Sequence, residues 1–227
     1  YTRGGVAATL QNAGLVSGTT FAGVFLHGAG TLTNAAGGTI QGARYGIYAS
    51  PTYTATVFNA GAITGTTVDG VLLNGAGSVT NAAGGTIAGA SYAVSLHGSA
   101  ASTLVNAGLL NGTAIAAALL SDGGLLSNAS TGTLVGGFAG FAGLGTLATT
   151  VVNAGRIAGT NFGVDIYSAN GVVTNSGSIS STVQTNGAGV DLKAGGSVTN
   201  AGGGRISGEW IGVQIGAVTA SLGGTLV

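Results

Sequence analysis

Apolar and polar residues alternate along this chain in short runs, and the runs recur. An asparagine marks each recurrence, at Asn12, Asn34, Asn59, Asn81, Asn106, Asn128, Asn153, Asn175 and Asn200, with spacings that alternate between 22 and 25 residues. Two residues before each asparagine stands Leu or Val, from Leu10 and Leu32 through to Val173 and Val198. Alanine follows it directly in eight of nine repeats, Ser176 being the exception. A second aliphatic residue comes four or six positions later, as at Val16, Ile40 and Ile63, and in eight of nine cases glycine stands two beyond that. A third apolar segment closes the repeat, seen as GVFL at 23–26, GVLL at 70–73, GVDI at 163–166 and GVDL at 189–192.

Period-2 runs bounded by Gly, Asn and Ser predict strands and not helices. Three such strands in a unit of 22 or 25 residues predict one coil of a right-handed parallel β-helix, a solenoid whose coils stack through backbone hydrogen bonds. The expectation is therefore an all-β chain of nine to ten coils forming a single solenoid over 1–227. Leucine-rich repeats have a similar period but need a helical segment and a leucine framework, and neither is present. At about 4.8 Å per coil, the rod is on the order of 45 Å long.

Period 2 puts each asparagine on the same side as the aliphatic residue two before it, pointing inward or into the corner. A buried amide has to be hydrogen-bonded, and identical amides stacked at strand spacing can bond one another as a ladder. On the same logic Ile87 points in and Thr80 points out. The pattern slips near the C-terminus: the second aliphatic comes four residues after Asn175 but six after Asn200, the reverse of the earlier order. Repeat length still alternates, so one turn has moved between coils. The chain stops at Leu226-Val227 in mid-coil, and neither end shows a polar cap, which reads as a segment of a longer chain with open sheet edges.

Composition narrows the picture further. Glycine fills 47 positions and proline one, without the every-third-residue glycine of collagen. A mean hydropathy of +0.55 argues against disorder. Charged residues make up 4%, five of each sign, where an ordinary domain carries about a quarter. Nucleic acid and anionic membrane both require clustered cations, and five scattered ones make no such cluster. The surface is thus Thr, Ser, Asn and Gly, and near-zero net charge favours association between copies. Without cysteine there is no disulfide framework and no thiolate metal site. The charge-free stretch 135–152 fits the repeat, so it is not read as a membrane span.

The string GAGSVTNAAGGTIAG at 75–89 and the VxNAGxIxG pattern at 151–159 resemble passenger domains of Gram-negative autotransporters, the adhesin-like kind with parallel β-helical repeats. The resemblance spans the whole chain. It implies export to the bacterial cell surface, an extracellular location, and a role in adhesion, autoaggregation or biofilm. Implied partners are a second copy of the chain, or protein or glycan on a host or bacterial surface.

Candidate chemistry is sparse. Asp165 and Asp191 follow the same GV dipeptide in successive coils, so they should stack about one strand spacing apart on the outer face. Two carboxylates roughly 5 Å apart suit a retaining glycosidase. Tyr167 and Lys193 should share the neighbouring column. Equivalent positions hold Phe25, Tyr48, Leu72 and Gln214, which share no chemistry, so the column reads as an ordinary solvated surface, with a bound cation or catalysis at the pair as the alternatives. His27 and His97 lie about three coils, or roughly 14 Å, apart and cannot share a metal. The sequons at Asn111 and Asn128 carry little weight, since Asn128 belongs to the ladder. Phe25, Tyr48 and Leu72 place three large apolar groups in consecutive coils where water is expected, which suggests either a contact surface or a covering loop.

The leading expectation is a non-enzymatic surface adhesin or stalk, with no catalytic residues, metal or cofactor. A structural fibre stacking end to end through open coils is the first alternative, and a carbohydrate-active enzyme on the same scaffold is the second. An enzyme would show a cleft lined by long loops and several charges. A fibre would form filaments unaided.

Overall fold

The structure, a computed structural model, describes residues 7–216 and 224–226. The reading of uncapped ends rests on residues that fall in part outside these. Among the described residues every regular element is a strand, 28 in all, and every pairing is parallel. The strands form three sheets of ten, nine and nine, and each sheet takes every third strand in chain order. The chain is thus a β-solenoid of about nine coils with three strands per coil.

The first sheet collects the nine strands that end in asparagine, such as Gly77–Asn81 and Ser102–Asn106, together with Gly224–Leu226. The second collects strands of four residues, or three in the last, that mostly end in glycine, such as Thr86–Gly89 and Leu109–Gly112. The third collects the closing segments, such as Tyr92–Leu96 and Ala116–Leu120. Register is residue-for-residue: Val79 pairs Leu104, Asn81 pairs Asn106, Ile87 pairs Leu110 and Val94 pairs Ala118. Stretch 135–152 contributes to three strands, Thr133–Gly136, Ala139–Gly143 and Thr149–Asn153.

In-register stacking turns each inward position into a column of like side chains. Leu32, Val57, Val79, Leu104, Leu126, Val151 and Val173 are each fully buried in the first sheet. Ile40, Ile63, Ile87, Leu110, Leu134, Ile157 and Ile179 match them from the second, and the third adds pairs such as Val94 with Leu96 and Val164 with Ile166, with Phe141 filling one coil. The core is therefore a continuous, mostly aliphatic filling, rich in branched side chains that suit a pleated surface.

The asparagines occupy one corner and bond coil to coil. Each Nδ2 donates to the Oδ1 of the next coil's asparagine, from Asn12 to Asn34 at 2.8 Å through to Asn175 to Asn200 at 2.8 Å. The intervening links span 2.7–2.9 Å. Each Nδ2 also lies within reach of a carbonyl in its own turn, as Asn81 with Gly85 O at 3.1 Å. All eight links run in the same direction, so the amides form one head-to-tail chain. Gly85 makes room for it, since a Cβ there would crowd Asn81 Oδ1 and the carbonyl of Asn59.

Turn lengths explain the alternating repeat. In the coil after Asn12 the turns are 13–14, 19–21 and 27–29; in the coil after Asn34 they are 35–38, 43–44 and 50–54. The two patterns alternate as far as Asn153. After Asn175 the long turn moves to 182–187, between the second and third sheets. This is the slip anticipated from the aliphatic spacing.

Two predictions follow from the interior. Ile87→Asp puts an unpaired charge at a position with no exposure and should cost several kcal/mol, while Thr80→Asp on the outer face should leave the melting temperature nearly unchanged; equal losses would refute the in/out assignment. Asn106→Ala, in mid-ladder, should cost about 1–3 kcal/mol by orphaning its buried neighbours, measured by thermal or denaturant unfolding. Asn200→Ala should cost much less, because Asn200 is exposed and makes one ladder link among the described residues.

Candidate functional site: the outer face of the third sheet

The outer faces of the first two sheets are mostly Thr, Ser, Ala and Val. The third is different. Apart from Arg156 and Arg205, every charged residue and histidine among the described residues lies on its outer face or in the turns flanking it. Large aromatics concentrate there as well, including Phe21, Phe25, Tyr45, Tyr48, Tyr92, Phe138, Phe162, Tyr167 and Trp210. Stacking arranges them in columns. One column runs Phe25, Tyr48, Leu72, Ser95, Leu119, Ala142, Asp165, Asp191, Gln214. The residue two beyond each forms its neighbour, with His27, Asn74, His97, Ser121, Tyr167 and Lys193 among its members.

At the N-terminal end, Phe25, Tyr48 and Leu72 do not present the open apolar stripe expected of them. Phe25 and Tyr48 are half-buried and Leu72 is 9% exposed. Their rings pack on one another at 5.0 Å, on Phe21 at 5.7 and 5.3 Å, and Tyr48 lies 5.1 Å from Tyr45. His27 lies 4.1 Å from Phe25, and the Arg44 guanidinium sits 5.5 Å from the Tyr45 ring. These aromatics cover each other, because adjacent columns bring large side chains together from the sides as well as along the stack.

In the middle coils, His97 lies between two hydroxyls, with Nε2 2.7 Å from Ser95 Oγ and Nδ1 2.8 Å from Ser121 Oγ. Burial lowers its pKa against the opposing pull of Asp122, which favours the neutral ring at pH 7. Asp69 is buried and accepts a hydrogen bond from the Tyr92 amide at 3.2 Å; burial still lifts its pKa to about 6. His27 and His97 stand three coils apart, and among the described residues no group of three metal-ligating side chains exists.

The C-terminal coils hold the acidic pair. Asp165 and Asp191 are register partners, as expected, but each is only 2% exposed, so the expected solvated position is corrected. The neighbouring column covers them. Lys193 Nζ lies 2.6 Å from Asp191 Oδ2 and 3.3 Å from Asp165 Oδ1, and it packs over Phe162 at 4.6 Å and Tyr167 at 4.9 Å. Burial raises the Asp165 pKa to about 6; Lys193 opposes this, Asp191 adds to it, and the Tyr167 hydroxyl also favours the charged form. Burial works against the Lys193 charge too, yet its bond to Asp191 and both carboxylates hold its pKa above the ordinary lysine value.

Beside this triad runs a groove of about 380 Å³ lined by Phe162, Asn186, Gly187, Asp191, Lys193, Trp210, Ile211 and Gln214. A larger hollow of about 580 Å³ over the turns near 83–86 and 107–109 is lined by Ala, Gly, Thr and one Leu, without charge or aromatic ring. Trp210, Phe162, Asp69 and the two serines flanking His97 were not singled out from the sequence. Aligning the repeats on their asparagines and reading only the third segment would have exposed them.

No family model matches the chain, and no curated protein or solved structure is significantly similar to it.

Asp69 and Asp165 fix a pH dependence. Each holds its proton more tightly folded than unfolded, so the stabilisation from protonation is complete below about pH 4 and is lost as pH rises through about 6. The melting temperature should fall from pH 4 to pH 7, and the double variant Asp69→Asn, Asp165→Asn should flatten that slope. A slope unchanged in the variant would show that other groups carry it.

Proposed function

We propose that this chain is a surface-exposed adhesin or stalk of the autotransporter-passenger kind, extracellular on a Gram-negative cell, which works by extended contact and not by catalysis. The observation that supports this reading is its one-sidedness. Two faces of the prism carry mostly small neutral side chains, and one carries most of the aromatic and charged groups, spread along the length of the solenoid. A rod with a single differentiated face is suited to lateral contact with another surface, whether a second copy or a host or bacterial protein or glycan. Near-zero net charge lowers the electrostatic barrier to such contact. Residues such as Ile115 and Phe138, 41% and 43% exposed, supply apolar area on that face.

The test is comparative. Displayed on a cell surface, Ile115→Ser with Phe138→Ser should reduce clumping or attachment several-fold. Phe58→Ser with Val152→Ser, 45% and 41% exposed on the first sheet, should not. Equal effects from the two pairs would refute contact through the third sheet. Filaments of the purified protein under the electron microscope would favour the fibre reading. A glycan-hydrolysing activity abolished by Asp165→Asn with Asp191→Asn, with clumping intact, would favour the enzyme.

A further inference from the structure

The groove beside the acidic pair has a definite origin. Each coil places one residue at the corner just before the third sheet and one at the start of its strand. In the coil that ends at Asp191 these two are Gly187 and Ala188, between Asn161-Phe162 on one side and Trp210-Ile211 on the other. Two small residues between larger ones leave a trench across the sheet. The displaced six-residue turn 182–187 enforces it, since a Cβ on Gly187 would collide with Val183 and with the carbonyl of Asn161.

Rising from one wall is Trp210, the single tryptophan of the chain, 56% exposed. Phe162 contributes to the other. Between them lie a carboxylate (Asp191), an ammonium (Lys193) and two amides (Asn186 and Gln214). Asp191 bonds Lys193 through Oδ2 only; its Oδ1 is buried with no hydrogen-bond partner. A buried carboxylate oxygen without a donor is costly and marks a place where a ligand hydroxyl would be welcome.

From these features we infer that the trench is a subsite for a neutral pyranose, a sugar ring at the end of or within a surface glycan. The inference rests on the contact reading above and names the ligand class for that face. A pyranose offers a flat C–H face to an indole and hydroxyls that both donate and accept. The trench supplies an exposed ring beside carboxylate, ammonium and amide groups within one sugar's reach, an apolar wall with a few convergent polar groups. Charge selects against the other occupants. The cation position over Phe162 and Tyr167 is already filled by Lys193, so a cationic ligand finds no vacant platform. Two carboxylates against one ammonium disfavour sialic, uronic or sulfated sugars. Lys193, 30% exposed against 3% for either aspartate side chain, is the member of the triad that an entering hydroxyl meets first.

The lone tryptophan makes the test direct. The purified chain is titrated with neutral glucose-, galactose- and mannose-terminated oligosaccharides while Trp210 fluorescence is followed, and is applied in parallel to an array that also carries sialylated and sulfated glycans. Saturable quenching by at least one neutral glycan is expected. Trp210→Ala should weaken array binding by about tenfold, the scale of one aromatic contact, and Gln214→Ala, which removes an amide from the lining, should weaken it as well, both at unchanged circular dichroism. Phe58→Ser, on another sheet, should bind as the parent does. Binding confined to acidic glycans, no glycan binding at all, or neutral binding that survives both trench variants would overturn the inference. Cell attachment that persists without glycan binding would leave the contact reading standing while sinking this one.

Discussion

A buried amide has two N–H donors and a carbonyl acceptor, and in a dry corner each must find a partner. Stacking coils at strand spacing solves this only if the same residue recurs at the same place in every coil. Each asparagine then offers its acceptor to the coil before and a donor to the coil after. A single replacement breaks two links and strands the neighbours. The amide column therefore fixes register: sliding one coil by a residue would flip every side chain across its sheet and break the ladder at the same time. The inward Leu, Val and Ile columns are held in phase by that corner, and the glycines that crowd it exist because a Cβ would displace the amides.

What the ladder does not fix is the length of chain between strands. Coils of 22 and 25 residues coexist because the extra residues bulge outward in turns, where backbone is solvated and loop length is cheap. The two turn patterns alternate regularly over the first coils, and the core is indifferent to which is used. The largest departure, the six-residue turn 182–187, leaves the asparagine links at 2.7 and 2.8 Å on either side untouched. Yet it reshapes the surface by placing Gly187 at a corner where other coils carry Phe21, Arg44 or Phe138. Scaffold and surface are thus separable: the first is set by columns, the second by turns.

That separation explains what could be read from the sequence. The nine asparagines, their aliphatic partners and the glycine two beyond Ile40 or Ile63 state the coil, the in/out assignment of Ile87 and Thr80, and even the slip after Asn175, because each is a local rule repeated along the chain. Asp165 and Asp191 were correctly paired but wrongly given to solvent. Alternation along a strand decides only which side of the sheet a residue faces. Whether an outward residue is wet depends on the side chains around it, here Tyr167 and Phe162 from one coil and Lys193 from the next. The same lateral packing half-buries Phe25 and Tyr48. Trp210 went unnoticed for a related reason: it interrupts no pattern, and its position gains meaning only when the third segments are set side by side.

In-register stacking also accounts for the scarcity of charge. Any ionised side chain repeated along a column would face its copies at about 4.8 Å, and like charges directly opposite are destabilising. A solenoid of this kind tolerates charge chiefly where a column varies or where an opposite charge stacks beside it. The outward columns of the first two sheets stay neutral apart from Arg156 and Arg205, which sit two coils apart in one column with Ser178 between them. Asp165 and Asp191 break the rule outright, adjacent, buried and of one sign, and they persist because Lys193 reaches both. Replacing the trio by neutral residues would remove the desolvation cost that lifts the Asp165 pKa. The arrangement is thus expensive for the fold, and it stands on the one face where the chain departs from its neutral surface, next to an exposed indole and an unpartnered carboxylate oxygen. That cost falls beside the groove lined by Trp210 and Asp191, the place where the sugar subsite is proposed.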